Sequence, residues 1–214
     1  MSEHKPEKAK ARGRGPGRTQ RKDWILVALD TLVSEGVDSI KVSSLAEKLE
    51  CARSSFYWYF KNRSDLLDAL LNHWQSTNTK LLVESANQPA ESINYAVNNV
   101  YIQWISGRGF DTQLDFAIRD WARRSGSVRR ALDISDAARL EALTHMFERY
   151  DYQKPEAETR ARILYFTQIG YDLTDLQEDW ETRQQRGRMY LFCMTGKPLT
   201  EAETKAHDAA QPPP

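Results

Sequence analysis

Apolar residues recur every three or four positions along most of the chain, which is the spacing of helices that bury one face. The first such stripe runs from Ile25 to Val33 and stops before Gly36, a residue type that favours helix ends. A short second segment covers residues 43–49, and longer segments with the same spacing continue to about residue 195. No stretch alternates convincingly between apolar and polar residues, so the pattern predicts an all-α fold of about nine helices.

Five aromatic residues stand in a row from Phe56 to Phe60, in a chain with only 10% aromatic residues. A buried strand would also suit such a run, because aromatic side chains favour pleated surfaces. Charged and small polar residues flank the run on both sides, however, and no partner strand or hairpin turn is near. We therefore predict a short third helix, on which Phe56 and Phe60 share the inward face.

Composition divides the chain into four parts. Residues 1–19 are rich in Lys, Arg, Gly and Pro, which predicts a disordered basic arm. Residues 20–66 contain the short helices and residues 67–196 the longer ones, which predicts a small N-terminal domain and a larger C-terminal helical domain. Residues 197–214 bury little apolar surface and end in "QPPP", so we expect a disordered tail.

Charge is distributed unevenly along the chain. Residues 1–63 carry 13 Lys and Arg against 8 Asp and Glu, whereas the remainder carries 17 against 22. This asymmetry predicts that the basic N-terminal part binds a polyanion and that the rest of the chain has a different function. Within the arm, "RGRGPGR" is faintly similar to an AT-hook that enters the minor groove, but a phosphate tether and plain solubility are alternatives.

Several classes of protein are disfavoured by the sequence. Two distant cysteines, Cys51 and Cys193, form neither a disulfide framework nor a metal motif, and His73 and His145 lack ligand-spaced partners. No signal peptide, membrane-spanning run or catalytic motif is evident. We therefore expect a cytoplasmic protein that is not an enzyme and uses no cofactor or metal.

Three short helices with a tight turn before the third have the layout of a helix-turn-helix, whose third helix enters the major groove of DNA. Arg53, Ser54 and Ser55 lie at the start of that helix, where a guanidinium can contact guanine and free N–H groups face the duplex. Tyr57 and Tyr59 could donate to phosphates. For the neighbouring Trp58, DNA contact and packing within the domain are both open.

The stretch "LAEKLECARSSFYWYFKNRSDLLDAL" resembles the DNA-binding domain of the tetracycline-repressor (TetR) family. That family's pattern has Leu-Ala, a turn, a small residue, an aliphatic position, Tyr, an aromatic, Lys-x-Lys/Arg and a leucine pair. The positions here that match are Leu45, Ala46, Ser55, Phe56, Tyr57, Phe60, Lys61, Arg63, Leu66 and Leu67. The resemblance covers about 50 residues and implies phosphate contacts from Lys61 and Arg63.

Two departures from the family pattern concern the DNA-binding segment. Glu50 and Cys51 occupy the turn, where the family usually has Gly and an aliphatic residue. Glu50 would then adopt an unfavourable turn conformation near DNA. The family's usual Thr at the start of the second helix is also missing, so its phosphate contact is expected to come from Lys41, Ser43 or Ser44.

The resemblance also implies functions for the larger domain. Its aromatic residues would line an effector pocket, and its last two long helices would form a four-helix dimer interface. The expected pocket residues are Tyr101, Trp104, Phe110, Phe116, Trp121, Phe147, Tyr165 and Phe166. The expected interface residues are Ile169, Gly170, Met189, Leu191 and Phe192. Arg119 and its charged neighbours are interpreted as a solvated face.

Together these features predict a ligand-responsive repressor that binds a pseudo-palindromic double-stranded operator as a homodimer. A small-molecule effector would release it by favouring a dimer whose recognition helices no longer match successive major grooves. The alternative is a DNA-binding regulator or architectural protein without a small-molecule effector.

Overall fold

The computed structural model describes residues 19–105, 109–174 and 179–210, and the predicted basic arm falls almost entirely outside them. Every regular element within these ranges is helical, which confirms the all-α prediction. The chain forms two compact units, one ending at Leu67 and the other beginning at Asp68. No helix in the described ranges is both long and apolar enough to cross a membrane.

The first unit consists of short helices around an aromatic core. Helix α1 spans Arg21–Glu35 and α2 spans Val42–Lys48, with a 3₁₀ turn at Val37–Ser39 between them. The aromatic run lies in a 3₁₀ helix, Arg53–Trp58, which we call the recognition segment. Helix α3 then begins at Arg63. The predicted third helix therefore exists but is wound more tightly than an α-helix, as is common for short connecting helices.

Phe56 fastens the recognition segment to α1. Its ring is fully buried and meets Trp24 edge-on at 5.2 Å between centroids, while Phe60 stacks on its other side at 5.3 Å. Aromatic pairs in these arrangements add to the burial of their apolar area. The two phenylalanines thus occupy the inward face that their four-residue spacing predicts.

The second unit continues α3 to Trp74, passes through a π-helical turn at Gln75–Thr79 and adds seven α-helices. These helices are α4 Lys80–Asn87, α5 Ile93–Ile105, α6 Thr112–Ala122, α7 Gly126–Glu148, α8 Lys154–Thr174, α9 Trp180–Thr195 and α10 Glu201–Ala210. Helix α7 packs against α4, α6 and α8, while α5 packs against α4 and α9. The core between them contains Val97, Val100, Leu143, Phe147 and Leu164.

Helix α10 corrects the expectation of a disordered tail over residues 197–214. Its first turn is capped reciprocally, because Thr200 N donates to Glu203 Oε2 (2.7 Å) and Glu203 N donates to Thr200 Oγ1 (3.2 Å). Arg188 on α9 pairs with Asp208, and His207 Nδ1 lies 2.8 Å from Asn98 Oδ1 on α5. Polar contacts attach this helix to α5 and α9. Its sequence therefore lacks the apolar spacing from which a helix is predicted.

Candidate nucleic-acid interface and effector cleft

The turn before the recognition segment contains a backbone conformation that side chains disfavour. Glu50 has a φ of 50°, in the left-handed region that glycine adopts most easily. The next amide, Cys51 N, donates to Ala46 O at 3.0 Å and so closes the turn against the end of α2. The expected strain at Glu50 is therefore present, and the turn forms despite it.

The aromatic run separates into buried and exposed side chains. Phe56 is fully buried, whereas Tyr57 is 53% exposed and Trp58 84% exposed. Trp58 therefore does not pack within its own unit, which removes that alternative. Arg53 and Ser54 are also exposed at the start of the segment. These four side chains form one solvent-facing set, which we call the outer face of the recognition segment.

Three other predicted contact residues form hydrogen bonds inside the first unit. Tyr59 Oη donates to Thr19 O at 2.7 Å, and Ser55 Oγ donates to Ala52 O at 2.7 Å. Arg63 donates from Nε to Ile40 O and from Nη2 to Val37 O, both at 2.6 Å. Arg63 thus ties the start of α3 to the 3₁₀ turn after α1. Sequence analysis missed these internal contacts because the accepting groups are backbone carbonyls.

The remaining predicted contacts lie near the start of α2 and after the recognition segment. Lys41 precedes the first residue of α2, and both it and Ser43 are exposed, whereas Ser44 is half-buried. Lys61 is exposed just before α3. The exposed members of this group add two ammonium charges and a hydroxyl to the surface of the first unit.

The eight aromatic residues expected to line an effector pocket do not surround one cavity. Five of them are core residues with at most 7% exposure, namely Trp104, Phe110, Trp121, Phe147 and Tyr165. Phe116 and Phe166 are instead about half exposed, at 47% and 50%. Only Tyr101 lines the cleft described next. The pocket assignment came from the family resemblance, whereas five of the eight residues occupy packing positions in the core.

A cleft lies between α5, α8 and α9, and its walls include Tyr101, Leu164, Tyr171, Arg183, Tyr190 and Met194. Its empty space is about 550 Å³ with open solvent included, but the centre of a water-sized sphere can occupy only about 30 Å³. Since one water needs roughly 10–15 Å³ on this measure, the cleft as observed admits little more than water. A larger ligand would require its walls to separate.

Tyr165 belongs to a buried ionic network instead of a cavity wall. The fully buried Arg139 donates from Nη1 to Tyr165 Oη (3.0 Å) and pairs with Asp115 Oδ1 (2.9 Å). Arg119 makes a bidentate pair with Asp136 (2.9 and 3.0 Å) and contacts Asp115 Oδ2 at 3.0 Å. Arg119 is therefore largely buried and paired, which corrects its interpretation as part of a solvated face.

The network keeps its groups in defined protonation states. Burial raises the pKa of Asp115, but the guanidinium groups of Arg139 and Arg119 outweigh burial and hold that pKa below its ordinary value. Burial raises the pKa of Tyr165, so its protonated hydroxyl donates to Asp136 Oδ1 at 2.7 Å. Two positive and two negative charges thus balance in the core, and the arrangement is structural.

An exposed apolar stripe runs along α8 and α9. It consists of Ile163, Phe166, Leu173, Met189 and Phe192, which are 42–59% exposed. Two of the expected interface residues, Met189 and Phe192, belong to this stripe, and Ile169 and Gly170 are half-buried. Leu191 is 3% exposed and also lines the cleft, so it lies inside the unit and away from this stripe.

No cluster of His, Cys, Asp and Glu that could hold a metal ion occurs within the described ranges.

Comparisons with known proteins agree with the helical architecture. Residues 25–70 match the family model described as bacterial regulatory proteins, tetR family. A curated relative, the class A tetracycline repressor from transposon 1721 of Escherichia coli, is 28% identical over 188 residues, which cover 88% of this chain and 81% of the relative.

Two solved structures share the fold at low sequence identity. Salmonella enterica GusR superposes with a TM-score of 0.60 at 13% identity and covers 89% of this chain and 94% of its own. Bacillus subtilis FadR, solved in complex with stearoyl-CoA, gives a TM-score of 0.54 at 15% identity, covering 89% and 99%.

Proposed function

Because the chain belongs to the tetR family of bacterial transcriptional regulators, we propose that it is a homodimeric repressor released from its operator by a small molecule. The observation that carries the proposal is the outer face of the recognition segment, where Tyr57 and Trp58 are exposed although aromatic residues usually bury their area. Tyr57 contacts Phe56 edge-on at 5.3 Å between ring centroids, but about half of its surface faces solvent, and Trp58 is more exposed still. A duplex that covers them would account for their exposure.

The outer face has the chemistry of a major-groove contact. Arg53 can make a bidentate contact to guanine, and Ser54 is short enough to let the backbone approach base edges. Tyr57 can donate to a phosphate, and Trp58 can pack on sugars or thymine methyl groups. Lys41 and Lys61 would add phosphate affinity that weakens with salt.

Dimerisation is supported by the apolar stripe on α8 and α9. An exposed row such as Ile163, Phe166 and Leu173 on one helix is costly in water and is typical of an interface. A second copy of the chain presents the same stripe, so a two-fold axis would bring like faces together. Two recognition segments roughly 34–36 Å apart would then contact a pseudo-palindrome.

Regulation by a small molecule is supported by two related proteins and by the cleft. The name of the class A relative identifies it as a tetracycline repressor, and FadR was solved with stearoyl-CoA. The cleft between α5, α8 and α9 is the site that we propose for the effector. An effector bound in the opened cleft would favour one conformation of the second unit. Because the effector binds this conformation more tightly and DNA is bound by the other, effector binding would weaken DNA binding.

Selection of duplexes from a random library by the full-length protein would test this function. We expect enriched sites with two inverted half-sites spaced by about one helical turn, or a multiple of it. Binding of random duplexes as tight as binding of selected ones, with a steep salt dependence, would instead favour the architectural alternative.

Tyr57→Ala would test the DNA site on a selected duplex. Loss of one phosphate hydrogen bond should weaken binding by roughly fivefold or more. The oligomeric state, measured by sedimentation, should stay that of the wild type. Tyr95→Ala is a matched control, because that tyrosine lies on α5 in the other unit. Undiminished affinity of Tyr57→Ala would contradict the assignment of the outer face.

A further inference from the structure

The cleft between α5, α8 and α9 has a polar end and an apolar end. Helices α8 and α9 run antiparallel along it, since Arg160 near the start of α8 donates to Met194 O near the end of α9. The opposite ends of these helices meet where the Arg183 guanidinium carbon lies 5.9 Å from the Tyr171 ring centre. Leu164 and Met194 line the other end.

The polar end carries a positive charge. Arg183 lines the cleft, and none of the described residues that line it is Asp or Glu. In the described part of the chain, the Arg183 side chain contacts the face of the Tyr171 ring, and no ion pair joins it to a carboxylate. A guanidinium beside apolar walls favours an anionic group, which it can hold through two parallel hydrogen bonds.

The middle of the cleft is lined by a glycine and two tyrosines. Gly187 lies one helical turn after Arg183 on the same face of α9 and lines the cleft without a side chain of its own. Tyr101 and Tyr190 contribute rings from α5 and α9. Aromatic side chains favour stacked or edge-on contacts with another ring. Because the cleft as observed admits little more than water, its walls would have to separate for a ring to enter, and a compound with a single ring requires less separation than a larger ring system.

We propose that this cleft binds small aromatic carboxylates, with the carboxylate on Arg183 and the ring over Gly187 between the tyrosines. That such a compound binds the cleft does not depend on the proposed function. That it acts as the effector that releases DNA does rest on the proposed function. The proposal for binding itself is carried by Arg183 at one end of the cleft, the apolar residues at the other end and the tyrosine rings between them.

Titration calorimetry of the full-length protein with benzoate would test the proposal, with benzylamine and benzyl alcohol as ring-matched probes. We expect benzoate to bind the wild type and benzylamine to bind at least tenfold more weakly. Arg183→Gln should weaken benzoate roughly tenfold to a hundredfold, as expected for loss of a charged hydrogen-bond partner. Arg183→Lys should restore part of the affinity. Arg162→Gln is the control, because Arg162 is exposed on α8 and does not line this cleft.

Three results would overturn the proposal: no benzoate binding to the wild type, equal binding of benzylamine, or unchanged benzoate affinity in Arg183→Gln. A separate measurement of DNA release keeps this proposal distinct from the proposed function. Benzoate that binds through Arg183 without releasing a selected duplex would contradict its role as effector and leave the ligand class supported. Release of DNA by some other compound, without benzoate binding, would contradict the ligand class alone.

Discussion

The two units differ in where they place their polar side chains. In the first unit Thr31 is the one fully buried polar residue among those described, and the side chains of the outer face point to solvent. The second unit buries Arg139, Asp115, Asn78, Glu203 and His207, together with several further polar groups. The core of the first unit is therefore almost entirely apolar, and its polar side chains lie on the surface. The second unit also has polar and charged side chains in its core.

In the first unit, different residues provide stability and the proposed DNA contacts. In the second unit, the same buried residues would contribute to both stability and function. Residues that hold the first unit together, such as Phe56, are distinct from those that face outward, such as Trp58. In the second unit the buried pairs fix how α3, α6, α7 and α8 pack, because each charge needs its partner. Such networks have discrete arrangements, which suits a unit proposed to change conformation.

Arg139→Met would produce the largest effect that this comparison predicts. It removes the charge opposite Asp115 while keeping a similar side-chain length, and leaves that carboxylate partly uncompensated in the core. Breaking a buried ion pair from one side costs about 3–5 kcal/mol. Urea unfolding should show this loss, and the double variant Asp115→Asn/Arg139→Met should recover part of it.

Arg129→Met on the same helix is the matched control for Arg139→Met. Arg129 pairs with Asp133, but both side chains are more than half exposed, at 62% and 53%. Exposed pairs contribute about 0–1 kcal/mol, so this variant should unfold close to the wild type. Equal losses in the two variants would mean that burial of the network is not what makes Arg139 important.

Phe56→Leu and Trp58→Ala would test the separation within the first unit. Phe56→Leu should lower the free energy of unfolding by on the order of 1 kcal/mol, because a fully buried ring is replaced by a smaller group. Trp58→Ala should leave the melting temperature unchanged and weaken binding to a selected duplex by about tenfold or more. A clear loss of stability in Trp58→Ala would contradict the assignment of Trp58 to the outer face.

Local patterns were sufficient to predict much of the first unit. Helical spacing and the flanking residues placed Phe56 and Phe60 inside. The strain at Glu50 was expected from the family resemblance, since the family usually has glycine at that turn position. The partners of Arg63 and Tyr59 were missed, since backbone carbonyls leave no trace in the sequence. Whether Trp58 is exposed or packs within its unit could be decided only from the folded structure.

Long-range polar contacts limited prediction of the second unit. Arg139 and Asp115 are 24 positions apart, and neither stands out from the many charged residues around it. Helix α10 contributes alanines and charges instead of an apolar stripe, so its packing depends on partners such as Asn98 and Arg188. Aromatic content likewise indicated packing in general, and could not distinguish Tyr101 at the cleft from Tyr165 in the network.

His207→Gln would test the buried polar contacts of α10 through pH. Burial lowers the pKa of His207 and Arg188 adds to this, while Asp208 opposes them. Because the folded-state pKa lies below the ordinary value near 6.5, the unfolded chain binds the proton more readily. Stability from this group is thus complete above about pH 6.5 and is lost as pH falls through the lower, folded-state pKa.

The urea midpoint of the wild type should therefore fall between pH 7 and pH 5, and His207→Gln should flatten that change. His145→Gln is the control, since His145 is exposed on α7 and its nearest carboxylate, Glu148 at 3.9 Å, belongs to the same helix. A pH profile that is the same for wild type and His207→Gln would show that this imidazole does not control the attachment of α10.

Glu50→Gly should give the smallest effect. Together with Asp151→Gly, it compares the cost of a positive φ in the first unit with the cost in the second. Glu50 and Asp151 both have positive φ, at 50° and 66°. A left-handed conformation costs most side chains about 1–2 kcal/mol, whereas glycine gives back roughly 0.5–1 kcal/mol in chain entropy. Glu50→Gly should therefore stabilise the protein by about 0.5 kcal/mol. Asp151→Gly should gain less, because aspartate tolerates this conformation better than glutamate.

Glu50→Gln separates backbone conformation from charge in that comparison. It keeps the Cβ atom, so it should not gain the stability of Glu50→Gly in urea unfolding. Both variants remove a negative charge next to the recognition segment and should tighten DNA binding to a similar extent at low salt. If Gln and Gly stabilise the protein equally, charge rather than the left-handed backbone is what makes Glu50 costly, and the turn has no conformational strain to relieve.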